Sequence, residues 1–155
     1  MTHTGAVDDV VLLAELAALY REVDALYAGW SCPGTTECCR FGITGRQPYV
    51  TSIELAAVRR AIARRGAPLA RAKRALPITA DQEQERICPM LDRGGRCSIY
   101  ADRPLGCRTF YCDRATQGAH ATRAELQDIV RKLQELAARH SLGGDQGRPL
   151  TRALG

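Results

Sequence analysis

Seven cysteines fall in two short patches of a 155-residue chain, and none lies elsewhere. Cys32, Cys38 and Cys39 share one segment; Cys88, Cys97, Cys107 and Cys112 share another. Ordinary helical sequence separates the two. This distribution constrains the fold more than any other feature, because it predicts that two distant loops meet around a common object. Buried free cysteine is common as a small hydrophobe, but seven in polar, glycine-rich segments match that pattern poorly. An odd number also leaves one thiol over in a pure disulfide framework. In a reducing compartment, clustered thiols point to metal or redox chemistry.

The flanking sequence supplies the scaffold. Residues 7–28 predict a helix, with Leu12, Leu16, Leu19, Val23, Leu26 and Trp30 stepping by three and four along one face. Such a stripe reads as core packing, and Gly29 can end the helix. Residues 31–49 read as loop, dense in Gly, Pro and Thr. Thr51-Ser52-Ile53-Glu54 has capping-box spacing, so a helix is expected over 52–65 and stops at Gly66 and Pro68. A short helix is expected over about 69–76. Residues 86–91 and 96–100 flank Asp92-Arg93-Gly94-Gly95, which predicts a β-hairpin with the glycines in the turn. Thr122-Arg123-Ala124-Glu125 is a second capping box, opening a helix over 123–141. That helix places Leu126, Ile129, Val130, Leu133, Leu136 and Ala137 on one face, and Gly143-Gly144 stop it. The expected fold is mainly α with a short β-hairpin: about four helices in a small irregular domain around a cysteine-rich metal centre. One domain covers 1–144, and 145–155 is expected as a flexible tail.

Charge narrows the partners. Net charge is +5, from 22 basic and 17 acidic residues. Arg59, Arg60, Arg64, Arg65, Arg71, Lys73 and Arg74 fall in a window without acidic residues. A nucleic-acid surface is one reading; a solvated helix face is the plainer one. No aromatic residues interleave with these arginines, which weakens single-strand binding. The N-terminus lacks the basic leader of a secretion signal, and no apolar run approaches the ~18 residues of a membrane span. A cytoplasmic location without a membrane partner is expected.

Thiolate is the ligand of structural zinc and of iron–sulfur clusters, each usually taking four. Seven cysteines exceed one such site. The spacing lacks the paired C-x-x-C knuckles of a zinc ribbon and the helix-opening C-x-x-C of a redox dithiol. Adjacent Cys38 and Cys39 do not easily share one ion in standard backbone geometry, which leans toward a polynuclear site. His3, His120 and His140 lie far from the patches in sequence, so an all-thiolate site suiting zinc, copper(I) or iron–sulfur is expected.

The residues resemble the YkgJ-like cysteine-cluster family of the CxxCxxCC type, associated with zinc or iron chelation and including part of flagellin lysine N-methylase. Cys32, Cys38 and Cys39 match its first motif, with Thr35 where the second cysteine stands. Cys88-Pro89, Cys97-Ser98-Ile99-Tyr100, Arg103-Pro104 and Cys107-Arg108-Thr109-Phe110 match its later motif; Thr51 and Glu54 echo its helix opening. The resemblance covers about residues 30–112. It implies zinc or iron, including an iron–sulfur cluster, bound by Cys32, Cys38, Cys39, Cys88, Cys97, Cys107 and Cys112. Cys112 is a candidate substitute for the ligand missing at Thr35. Arg103 and Arg108 are candidates to stabilise the thiolates, with Tyr100 and Phe110 as shields; pairing of Arg103 with Asp102 or Asp92 is the surface alternative. The methylase likeness also allows cluster-dependent lysine methylation, although no glycine-rich fingerprint for a methyl donor and no Ser/His/Asp or Cys/His arrangement appears in the sequence.

Overall fold

The computed structural model describes residues 4–29, 37–65, 87–109, 121–141 and 146–155. The helix expected over 69–76, the helix stops at Gly66, Pro68 and Gly143-Gly144, and Trp30 lie outside the described residues.

Three long helices make the scaffold. Helix α1 spans Thr4–Leu26, and Gly29 follows it with φ +87°, a left-handed conformation that glycine adopts without strain. Its buried stripe is wider than the sequence implied. Leu12, Leu16, Leu19 and Val23 are joined by Tyr20 and Tyr27. After the short helix α2 (Phe41–Thr44) and strand β1 (Tyr49–Val50), helix α3 runs Ser52–Arg65, the range its cap and breaker predict. Helix α4 is a five-residue helix, Leu105–Thr109. Helix α5, Arg123–His140, opens with a complete capping box: Glu125 N–H donates to Thr122 Oγ1 at 3.2 Å, and Thr122 N–H to the Glu125 carboxylate at 2.7 Å.

Helices α1 and α5 pack on one another, and α3 packs across both. Leu12, Leu16, Leu19, Val23, Ile53, Ile129, Leu133 and Leu136 belong to one apolar cluster, which Leu105 of α4 joins. Val130, expected on this face, is 44% exposed. A helix presents a limited arc to its neighbours, and Ile129 and Leu133 already fill it. His140 Nδ1 at the end of α5 stands 2.8 Å from Ser52 Oγ at the start of α3, closing the scaffold.

The expected hairpin is present in reduced form. Leu91 and Cys97 form a single antiparallel bridge; Ser98 N–H donates to Met90 O and Asp92 N–H to Arg96 O, each at 2.8 Å. Of the two turn glycines only Gly95 has positive φ, +74°. The two-stranded sheet lies elsewhere: β1 pairs antiparallel with β2 (Arg148–Pro149), Tyr49 opposite Pro149 and Val50 opposite Arg148.

The C-terminal segment differs from the expected tail over 145–155. Strand β2 leads into helix α6, Leu150–Leu154. Leu150 is 1% exposed and clusters with Val50, Leu55 and Ala153. Leu150 N–H donates to Pro48 O at 2.9 Å, and Gln47 Oε1 accepts from Thr151. A segment this short is held by partners about a hundred residues away, which local sequence signals do not report.

Candidate metal centre

Backbone pairing brings the cysteine patches together. Cys38 and Cys39 lie in a 3₁₀ turn, Glu37–Cys39. Arg40 then bridges Ile87 antiparallel, and Cys88 N–H donates to Cys39 O at 2.7 Å. The hairpin bridge carries Cys97 back toward Cys88. A 3₁₀ turn over Tyr100–Asp102 leads through Arg103 and Pro104 into α4, which delivers Cys107 in its first turn, with Cys107 N–H donating to Pro104 O at 3.0 Å. Cys88 and Cys97 flank a small apolar cluster of Val58, Ala61, Met90 and Ile99, which backs the site with α3.

The thiols sense one another. Burial pushes the Cys107 thiol well up, and the proximity of Cys88, Cys97 and Cys38 pushes it further; the Arg103 charge pulls back. The Cys39 thiol is raised chiefly by its hydrogen bond with Cys38, then by burial and by Cys38, Cys88 and Cys97. Burial pushes Cys88 up to about 11, while the backbone amides of Met90 and Leu91 nearby pull the other way. Five cysteines from three segments, Cys38, Cys39, Cys88, Cys97 and Cys107, therefore share one electrostatic neighbourhood. Cys32, Cys112, Thr35 and Phe110 lie outside the described residues, as do Arg71, Lys73, Arg74, His3 and His120. Among the described residues, no three His, Cys, Asp or Glu side chains converge as a ready-made metal-binding group.

The donor set fits a soft cation. Crowded, partly buried thiols resist ionisation because each new thiolate repels the others, and a bound cation reverses that balance. Two sulfurs on a tetrahedral zinc stand about 3.8 Å apart at a Zn–S length of ~2.3 Å. Cys38 Sγ and Cys39 Sγ are 4.0 Å apart. The adjacent pair stands close to that separation, within the 3₁₀ turn.

Arg103 acts on the Cys107 thiol as expected, whereas Arg108 and Tyr100 have other tasks. Arg108 is 2% exposed and is directed at α1: Nη1 donates to Asp24 Oδ2 at 2.6 Å, Nε to Arg103 O at 2.8 Å and Nη2 to Ala101 O. Its guanidinium lies 4.0 Å from the Tyr20 ring centroid. Arg103 donates to Tyr100 O at 2.8 Å and approaches Asp24 at 3.8 Å, not Asp102 or Asp92. Asp102 pairs with Arg64 at 2.9 Å, and Arg65 donates to Ser98 Oγ. Two members of the basic run therefore fasten α3 to the cysteine segment. Tyr100 is 43% exposed beneath the Arg103 guanidinium, outside any shielding position.

What sequence reasoning missed is the long-range role of Glu54. It reads as a helix cap, and it does accept from Thr51 N–H at 3.0 Å and Thr51 Oγ1 at 3.1 Å through Oε2. Its Oε1 accepts Leu105 N–H at 2.8 Å and Tyr20 O–H at 3.3 Å. Burial pushes the Glu54 carboxyl up, against the pull of these donors, and pushes the Tyr20 phenol well up. The only available signal was a capping Glu beside apolar Ile53 and Leu55.

A depression on α5 lined by Ala121, Leu126, Val130 and Gln134 has no cysteine in its lining. No helix among the described residues is long and apolar enough to cross a membrane.

No curated protein and no solved structure matches the chain. A family model matches residues 31–130, spanning both cysteine patches. The chain belongs to the CxxCxxCC family, described as a putative zinc- or iron-chelating domain.

Proposed function

We propose that this protein binds zinc or iron through clustered cysteine thiolates, with Cys38, Cys39, Cys88, Cys97 and Cys107 as the core donor set and Cys32 and Cys112 completing it. The observation that carries this reading is the meeting of the two cysteine patches at the Cys39–Cys88 backbone hydrogen bond, 2.7 Å, beside the Leu91–Cys97 bridge. A bound cation supplies the positive charge that these thiols need to ionise together. The chain's part is to gather the sulfurs and hold Cys88 and Cys107 partly out of water. A reducing, cytoplasmic setting suits such thiols.

Metal analysis and an absorption spectrum of anaerobically purified protein test this. Stoichiometric zinc in a colourless protein, or iron with visible sulfur-to-iron bands in a brown one, is expected, and the spectrum distinguishes mononuclear zinc from an iron–sulfur cluster. Protein without stoichiometric metal and with every thiol open to alkylation contradicts the proposal.

A further inference from the structure

Helix α4 is too short to hold itself, since isolated helices below about a dozen residues are marginal. Three of its residues are fixed by the scaffold instead. Leu105 N–H is bound by Glu54 Oε1 at 2.8 Å. Gly106 lies against Pro48 so closely that a Cβ at this position would meet Pro48 Cβ at 3.0 Å. Arg108 is tied to Asp24 of α1 at 2.6 Å. The residue between these anchors is Cys107, which shares the neighbourhood of Cys38, Cys88 and Cys97.

Building on the reading that these cysteines bind metal, we propose that Glu54 is the positioning residue for Cys107, its buried carboxylate aiming the first turn of α4 so that the Cys107 thiol faces the other cysteines. Glu54 suits this task because α3 fixes it twice over. It is 1% exposed, and Oε2 is held by the Thr51 N–H and hydroxyl at its own helix start. Oε1 is left to reach across to Leu105 and Tyr20. Each oxygen takes two donors, so a carboxamide of the same shape must place an N–H against at least one of them. The Thr-x-x-Glu and Cys-Arg elements, far apart in sequence, are thus two ends of one support: Glu54 anchors α4 before Cys107, and Arg108 anchors it after.

Residue-resolved alkylation tests the proposal. Full-length wild type and Glu54→Gln are loaded with zinc(II), pulsed with iodoacetamide and analysed by mass spectrometry, with circular dichroism as the fold control. In wild type, zinc slows labelling of Cys38, Cys39, Cys88, Cys97 and Cys107. In Glu54→Gln, Cys107 labels about tenfold faster, the scale of losing one hydrogen bond to a charged group. The other four stay protected and helicity is retained. Unchanged Cys107 protection overturns the proposal. Equal loss of protection at all five, with falling helicity, also overturns it by reducing Glu54 to a fold determinant. If Glu54→Gln does not fold, Tyr20→Phe decides. It removes only the 3.3 Å bond, and a selective rise at Cys107 supports the proposal while none refutes it. If zinc slows no cysteine in wild type, the metal reading itself fails and takes this one with it.

Discussion

The scaffold of α1, α3 and α5 and the cysteine-bearing segments 37–40 and 87–109 are held by different physics. The scaffold buries leucine, isoleucine and valine on helices that sequence periodicity alone announces. Its surface carries exposed ion pairs such as Arg139–Glu15 and Lys132–Glu22, each at 2.6 Å. On the cysteine side the apolar backing is small, and order comes from single bridges, buried polar struts and thiols. A chain with few large aromatics can stabilise one side by hydrophobic burial. The other side needs directional interactions, and those come from Glu54, Arg108 and, in the proposed state, bound metal.

Truncating the scaffold core separates the two sides most sharply. Leu16→Ala removes a side chain 1% exposed at the α1 face and is expected to cost about 3–4 kcal/mol. Chemical denaturation should show this loss whether or not metal is present. Arg108→Ala acts on the other side. It leaves Asp24, Ala101 O and Arg103 O without their donor. Breaking a buried pair costs several kcal/mol, but Asp24 is 46% exposed, so about 2–3 kcal/mol is expected. Unlike Leu16→Ala, it should also lower metal occupancy, measured on the same samples.

Alkali gives a smaller effect confined to the cysteine side. Cys88 is raised to about 11 in the fold, above the ordinary thiol value near 8.5. Between those values the folded state holds the proton that the unfolded state has released, so stability falls as pH rises through the window. Metal-free protein should lose stability progressively across that window through Cys88. Below the window that stability is fully present, and metal-loaded protein should lack the slope. Guanidine melts across the pH range read both. The smallest effect is predicted for Arg139→Ala. It removes an exposed pair with Glu15 and should leave the melting midpoint unchanged.

The same division explains what was legible in the sequence. Helix α3 was readable to its ends because Thr51, Glu54 and the breakers after Arg65 are local signals. The α5 start was readable because both halves of its capping box lie within four residues. Helix α6 was not readable: Leu150 is buried by Val50 and Leu55, on a part of the chain distant in sequence. The meeting of the two cysteine patches could be inferred from composition, since thiols in two glycine-rich loops have one economical explanation. The roles of Glu54 and Arg108 could not, because a cap and a motif arginine look the same in sequence whether they serve their own helix or bind Leu105 and Asp24 across the molecule. Arg64 and Arg65 likewise read as part of a charged face until their partners Asp102 and Ser98 are seen.

X-ray absorption at the metal edge of the loaded, full-length protein tests the central claim most directly. The account predicts a first shell of sulfur alone, at about 2.3 Å, lost together with the metal when Cys88 and Cys107 are replaced by serine. A first shell dominated by oxygen or nitrogen, or metal retained without these cysteines, would contradict it.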